Sequence, residues 1–217
     1  MSQKDITNIH LKLKDLYVNG KYKEYRSLLI KNKSIIPESQ FFYNLGTVEI
    51  KLKDYGFARY HLENSIIKGN TNTETLHNLN VVKQYIKKVD SDVFTKTIYF
   101  SKTLPSDIWV ISTLLLLIFF ATYFKISKIK KMVFYICAVL ISILPVSYKY
   151  IILNKKTVAI ALEKIDFQDG PTVLFKKIGE IPLGEKLLLE KHNGDWWLVS
   201  QPEQLRGWVK SKNLGFL

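Results

Sequence analysis

The residue types that most often carry catalysis or bind metals are sparse in this chain and do not combine into a working set. Three of the four histidines are His10, His61 and His77, and they share no metal-ligand spacing. The single cysteine, Cys137, cannot by itself form an intrachain disulfide or a cysteine-ligated metal site. There is no nucleophile–base pair and no acid pair. We therefore predict that the protein is not an enzyme, with no catalytic residues, no metal and no cofactor.

A glycine-containing stretch between Gly179 and Lys186 has a superficial similarity to a phosphate-binding loop. It reads GEIPLGEK, so it lacks the adjacent Gly-Lys-Ser/Thr that such a loop requires. Pro182 and the strand-like surroundings also do not suit a loop that opens a helix. We therefore exclude phosphate-loop chemistry, and the remaining candidates are binding residues.

The charge balance restricts the class of partner. The chain carries 32 Lys and Arg against 19 Asp and Glu, a formal net charge of +13. Such an excess is compatible with nucleic-acid binding, but no basic run here carries a nucleic-acid motif. A lysine-rich solvated surface together with attraction to anionic lipids explains the same excess. We predict membrane lipids, and no nucleic acid, among the partners.

Two uncharged apolar runs, Ile108–Phe124 and Met132–Tyr148, lie back to back in the middle of the chain. Each run has 17 uncharged residues, which is the short end of what spans a hydrocarbon core of about 30 Å. A spanning segment must satisfy its backbone polar groups internally, which requires helices. We predict a transmembrane hairpin at 108–152, with helices at 108–124 and 132–152. Because neither run contains an ionisable acid, lysine, arginine or histidine, the hairpin is expected to anchor rather than to transport.

The lysines around the hairpin predict its orientation. Four lysines lie in the short loop Lys125–Lys131, and the outer flanks are less dense. Positive-inside reasoning places this loop in the cytoplasm and both flanking domains outside it. The first residues show no signal-peptide pattern, so the alternative of cytoplasmic domains stays open.

The N-terminal part contains a helical repeat of about 34 residues. In the unit at 39–72, Gly46 and Ala58 are small where the two paired helices are expected to touch. The residues that carry the pattern are Phe42, Leu45-Gly46, Asp54-Tyr55 and Ala58. At this spacing they resemble a tetratricopeptide (TPR) repeat.

The TPR resemblance implies a small solenoid over residues 1–89. It contains a degenerate repeat at 6–38, the repeat at 39–72, and a capping helix at about 73–89. Residues 90–107 are then a connector to the hairpin.

The resemblance further implies a concave groove for an extended peptide or a partner helix, lined by the first helix of each repeat. The residues expected there are Tyr43, Asn44, Thr47, Lys51, His77, Asn78 and Val81. The alternative is that Asn44 and Asn78 only hydrogen-bond the backbone between helices, as buried polar groups must.

The C-terminal part, residues 155–217, changes to the alternation of short strands, beginning with Val158 and Ile160. Turn signals separate the strands and predict a small β-barrel. Four motifs together resemble a bacterial SH3-like domain: Gly170-Pro171, Gly184-Glu185-Lys186-Leu187, Gly194-Asp195-Trp196 and Gly207-Trp208-Val209.

The SH3-like resemblance implies an aromatic surface that binds a peptide or a wall glycopeptide. The candidates are Phe167, Trp196, Trp197 and Trp208. Consecutive strand residues face opposite ways, so Trp196 and Trp197 cannot both lie in the core and one should be exposed. The alternative is that both are half-buried in a minimal core.

The whole order is a TPR solenoid, a transmembrane helical hairpin and a C-terminal SH3-like β-barrel, a multidomain α + β chain. It resembles the TPR–SH3 membrane proteins of the bacterial aerotolerance (Bat) operon, the BatE family. That resemblance implies a bacterial inner membrane, with both flanking domains in the periplasm. It also implies von Willebrand A-domain membrane proteins and a MoxR-type ATPase as partners. We expect a non-catalytic membrane-anchored scaffold of the bacterial envelope. The alternative is a peptidoglycan-binding module anchored to the inner membrane.

Overall fold

The computed structural model describes residues 3–87, 93–127 and 132–217. Within these ranges the chain is helical first and strand-forming afterwards, as the sequence predicts. The helices are α1 (Gln3–Val18), α2 (Tyr22–Lys31), α3 (Glu38–Leu52), α4 (Tyr55–Ile67), α5 (Thr73–Tyr85), α6 (Val93–Thr103), α7 (Ser106–Ser127) and α8 (Met132–Ser147). Residues 88–92 and three loop lysines used for orientation, Lys128, Lys130 and Lys131, lie outside the described residues.

The C-terminal part forms one seven-stranded antiparallel sheet in the order β3-β2-β6-β5-β4-β1-β7. The strands are β1 (Thr157–Ala161), β2 (Ile165–Gln168), β3 (Lys177–Ile181), β4 (Lys186–Asn193), β5 (Trp196–Gln201), β6 (Gly207–Lys210) and β7 (Leu214–Phe216). Ile181 and Leu214 belong to strands at opposite ends of this order, yet both lie in the same buried cluster. The sheet therefore curls around one core.

The chain folds into two compact units that do not follow its linear order. The first unit contains Met1–Ser91 together with Val158–Leu217, and the second contains Asp92–Thr157. The N-terminal helices and the C-terminal sheet thus fold as one discontinuous body. The sequence indicated two separate modules, because periodicity reports local faces and carries no information on which distant segment covers them.

In the helical part of the first unit, consecutive helices pack around two apolar clusters. A β-carbon on Gly46 of α3 would lie 2.6 Å from Cγ of Leu62 on α4, so the two helices touch there, as the sequence predicts. α3 ends at Lys53, whose φ of 63° is the left-handed conformation that terminates helices. α5 ends at Tyr85, earlier than the predicted limit near 89, because Ile86 is extended.

Helix α4 covers one face of β1, which explains why this strand is buried on both sides. Ala159 and Ala161 belong to the core of the sheet, and Ile160 points the other way but is also fully buried. Ile160 pairs with Gly215 of β7, so both face the same side. A β-carbon on Gly215 would lie 2.5 Å from the ring of Tyr60 on α4. Tyr60 therefore packs on the second face of the sheet.

A buried charge network crosses the same boundary between α4 and the sheet. Arg59 Nη1 donates a hydrogen bond to the carbonyl oxygen of Gly184 at 2.6 Å, and Arg59 Nε donates to Glu63 Oε1 at 2.9 Å. Lys186 of β4 forms an ion pair with the other oxygen of Glu63. Burial acts to raise the pKa of Glu63, but Lys186 and then Arg59 outweigh it, and the pKa is lowered. Glu63 is therefore an ionised link between helices and sheet.

The second unit holds two helices that are long and apolar enough to cross a membrane, Ser106–Ser127 and Met132–Ile151. The first exceeds the predicted 108–124 at both ends. The second follows the predicted 132–152 closely, because a π-helical turn, Tyr148–Leu153, continues α8. The segment predicted as a connector, 90–107, contains α6.

The two apolar helices pack as an antiparallel pair. Trp109 at the start of α7 lies 5.4 Å from Tyr148 between ring centroids, and Phe124 at its end lies 4.7 Å from Tyr135. Small residues, Ala138 and Ser142, are buried on α8. The pairing of start with end and end with start shows that α7 and α8 form a hairpin.

Candidate functional site

An open pocket of about 570 Å³ lies along α1, α3 and α5. Its lining residues are Tyr17, Tyr43, Thr47, Ile50, Lys51, Thr73, Glu74, His77, Asn78 and Val81. Six of the seven residues predicted for the groove are among them. α3 and α5 each place their residues at helical spacing on a single face, which is why they converge on one pocket.

The two asparagines of the predicted groove behave differently. Asn78 Nδ2 on α5 donates a hydrogen bond to Thr47 Oγ1 on α3 at 3.2 Å, so it links two pocket-lining helices. Asn44 does not line the pocket; its Oδ1 accepts a hydrogen bond from Gln40 Nε2, one turn earlier, at 3.3 Å. Neither side chain uses the inter-helix backbone for these bonds. Asn78 is therefore a candidate binding residue of the pocket, whereas the prediction that Asn44 lines the groove is wrong.

The pocket combines a half-buried floor with an exposed, charged rim. Tyr43, Thr47 and Val81 are half-buried, whereas Lys51 and Glu74 are exposed. Burial, then Tyr22 and Tyr43, raise the pKa of Tyr17, so its hydroxyl stays neutral and can donate a hydrogen bond. One cation, one anion, hydroxyls and apolar floor atoms are the groups needed to hold a peptide backbone and its side chains.

The sequence prediction missed Tyr17, Ile50, Thr73 and Glu74, which also line the pocket. The signal for Tyr17 was available, because it precedes Lys51 by one repeat length in the sequence. In the structure, Tyr17 of α1 lines the same pocket as residues of α3 and α5. Thr73 and Glu74 are the first two residues of α5. They could be recognised as pocket residues only once the start of this helix was known.

A second candidate surface is the outer face of the curled sheet, where two predicted tryptophans lie. Trp196 pairs with Lys210, whose Nζ lies 5.3 Å from the centre of the indole ring. Trp208 has Lys191 Nζ at 5.9 Å from its ring centre. Leu198 pairs directly with Trp208 and points to the same face. This outer face therefore combines two indole rings with two cations, and the lysines were not predicted.

The other two predicted aromatic residues do not belong to that face. Phe167 is only 4% exposed and lies in the sheet core, where it faces Gly207 and Gly179. Trp197 packs against the same core and lies 5.4 Å from the ring of Phe216. Phe167 is therefore a core residue, and Trp197 is half-buried against the core. Trp196 is also half-buried, so the expectation that one of the two tryptophans is exposed is wrong and both are half-buried, as in the alternative.

The histidines are scattered in the structure as they are in the sequence. His61 is packed against Phe42, with ring centroids 5.9 Å apart, and its buried Nδ1 has no hydrogen-bond partner. Burial, and to a smaller extent Arg26, lower the pKa of His61 to about 4. Within the described ranges, no group of three or more His, Cys, Asp or Glu side chains is placed to hold a metal ion.

Comparison with known proteins adds no relative. No protein-family model, no curated protein and no solved structure matches the chain. Arguments about function therefore rest on the geometry of the chain itself.

Proposed function

We propose that α7 and α8 span a membrane and anchor the first unit to it. In a soluble protein such apolar helices would be core elements. Here only 6% of the apolar stretch of α7 and 11% of that of α8 is buried. Their hydroxyls are satisfied within the helix, since Ser142 Oγ donates to the carbonyl oxygen of Ala138 at 2.7 Å and Thr122 Oγ1 donates to that of Ile118 at 3.0 Å. Both features suit helices surrounded by lipid.

The discontinuous first unit supports a two-span topology. Its two segments, up to 91 and from 158, belong to one compact body, so the chain between them must leave and return on one side of the membrane. The lysines of the loop 125–131 favour the cytoplasm for the loop and the periplasm for the body. The membrane we propose is a bacterial inner membrane.

The function that this geometry supports best is that of a non-catalytic, membrane-anchored scaffold. The observation that supports this proposal is the pocket of about 570 Å³, which is lined by six residues predicted for the groove from the sequence. We propose that its ligand is an extended segment or a helix of a protein partner. The helical part is then a TPR-like solenoid, the curled sheet an SH3-like barrel, and the whole chain a BatE-like member of a Bat-type stress-tolerance complex. Its partners there are von Willebrand A-domain membrane proteins and a MoxR-type ATPase.

Site-specific photocrosslinking tests the groove. A photoreactive amino acid at Val81, on the pocket floor, should give a protein adduct in living cells. The same amino acid at Lys14, an exposed position on α1 outside the pocket, is the matched control. The adduct at Val81 should disappear when Lys51 is changed to Glu. Adducts that form equally from both positions, or that ignore Lys51→Glu, would refute a partner in the groove.

The outer face of the sheet favours a second candidate function, the binding of peptidoglycan. Trp196 and Trp208 offer indole rings on which sugar rings can stack, and Lys191 and Lys210 offer cations for stem-peptide carboxylates. The detergent-solubilised chain should sediment with purified wall sacculi, and Trp208→Ala should prevent it. If the wild-type chain stays in the supernatant, the wall-binding function is discarded while the scaffold remains.

A further inference from the structure

The loop between β2 and β3 carries three consecutive exposed apolar residues. The exposed fraction is 66% for Val173, 92% for Leu174 and 47% for Phe175. A leucine at 92% is almost as exposed as in an unfolded chain, so it projects from the surface rather than lining a groove. Single exposed apolar residues are ordinary, but three in sequence at one loop tip require an explanation.

The loop is held in shape while its tip is exposed. The backbone N–H of Phe175 donates to the carbonyl oxygen of Thr172 at 3.3 Å, and that of Asp169 donates to Lys176 at 3.1 Å. The ring of Phe175 covers Gly170, where a β-carbon would lie 2.5 Å from the ring. The apolar tip is therefore presented by a closed turn and loses little conformational freedom on binding.

The charges beside the tip cancel. Lys177 forms ion pairs with Asp166, at 2.7 Å, and with Glu180, at 2.9 Å, and Lys164 also pairs with Glu180. The remaining cation and anion of the loop are Lys176 and Asp169. A partner recognised by this tip is therefore selected by apolar contact and not by its net charge.

We propose that the Val173–Phe175 tip inserts into the interfacial layer of the bilayer that holds α7 and α8. This inference rests on the membrane anchoring proposed above. Only residues 154–156 separate the end of the π-helical turn from β1, so the sheet begins three residues after the proposed anchor. A protruding apolar tip fits a soft lipid layer, and the aliphatic stem of Lys176 can extend toward the headgroups.

Fluorescence quenching in proteoliposomes tests the insertion with the full-length chain. Cys137 is the only cysteine, so Cys137→Ala/Val173→Cys carries one environment-sensitive label at the tip and leaves Leu174 in place. In vesicles of phosphatidylethanolamine and phosphatidylglycerol we expect a blue-shifted emission, and loss of emission when nitroxide lipids are added. Pure phosphatidylcholine vesicles should give the same shift, because the local charges cancel. Leu174→Asp in this background should abolish both effects.

Two further labels separate the insertion from the anchoring. Cys137→Ala/Val18→Cys places the label on α1, at a position 75% exposed, and should show no shift and no quenching. The wild-type chain labelled at Cys137, in α8, reports the anchor itself. Quenching at Cys137 without quenching at residue 173 would overturn the insertion and leave the anchor intact. Equal quenching at residues 18 and 173 would also overturn it, and no quenching at Cys137 would refute the anchor.

Discussion

The two compact units differ in how far their apolar side chains are exposed. Leu62, in the first unit, is 0% exposed, whereas Leu115, in the second, is 61% exposed. The first unit gathers its apolar side chains into three clusters, and the second displays them along α7 and α8. Exposure of this kind is favourable only where the surroundings are themselves apolar. The contrast supports our proposal that the second unit is surrounded by lipid.

The two units also differ in how their polar groups are paired. The first unit buries charges and pairs them, as Arg59, Glu63 and Lys186 do where the helices meet the sheet. The helices of the second unit bury no charged pair among their described residues, and their hydroxyls bond the preceding turn of their own helix. We therefore expect the loss of a buried charge to destabilise the first unit, and the gain of a charge to destabilise the second.

The largest expected effect is that of Glu63→Ala. The substitution leaves Arg59 and Lys186 without their buried carboxylate, which should lower the free energy of unfolding by about 3 to 5 kcal/mol. The measurement is denaturant unfolding in detergent, followed by tryptophan fluorescence. Glu38→Ala is the matched control, because its ion pair with Lys68 is exposed and should contribute less than about 1 kcal/mol. Equal losses for both variants would contradict the linking role of the network.

Leu62→Ala and Leu115→Ala form the next pair. Leu62 is fully buried against Gly46, so its truncation should cost about 2 to 5 kcal/mol in the same unfolding experiment. Leu115 is exposed in the second unit, and the same truncation should leave the unfolding of the first unit unchanged. A comparable cost at Leu115 would mean that α7 belongs to a protein core.

Acid should destabilise the first unit through His61. Its pKa of about 4 in the folded chain lies below the ordinary 6.5, so the unfolded chain binds the proton first. The free energy of unfolding should therefore fall as the pH drops from about 6.5 to about 4, by at most about 3 kcal/mol. His61→Phe, which keeps the packing against Phe42, should flatten this slope. An unchanged slope in His61→Phe would contradict this account.

The smallest effect concerns the pocket. Asn78→Ala removes the hydrogen bond to Thr47 and should cost about 1 kcal/mol of stability. Thr47→Val removes the same bond from the other side. The double variant should cost little more than either single one, because the two changes delete one interaction. Additive losses would show that each side chain makes a separate contribution.

Local periodicity predicted α1 to α5, α7 and α8, but it did not predict α6, which lies in the expected connector, or the strand β3. Six of the seven residues predicted for the groove line the pocket. Repeat spacing places Tyr43 and His77, or Thr47 and Val81, one repeat apart, and the structure brings all four to one pocket. The same spacing relates Tyr17 to Lys51, but we did not extend the predicted groove to α1. The fold class is confirmed at the level of an N-terminal helical part, a C-terminal antiparallel sheet and two long apolar helices.

Contacts between distant segments could not be predicted in this way. The ion pair of Glu63 with Lys186 joins residues on either side of the apolar hairpin, and no periodicity links them. The burial of Phe167 follows from the curl of the sheet, which depends on all seven strands at once. Gly56 illustrates the same point, because only the fold places the backbone of Leu162 where a β-carbon on residue 56 would lie.

Labelling with a membrane-impermeant maleimide tests most directly whether helices and sheet form one body on one side of a bilayer. In a Cys137→Ala background, single cysteines replace Val18 on α1, Lys212 before β7 and Ile126 at the end of α7, all of them exposed. In vesicles of known orientation, residues 18 and 212 should react from the same side and residue 126 from the other. Reaction of residues 18 and 212 from opposite sides would contradict the single discontinuous body.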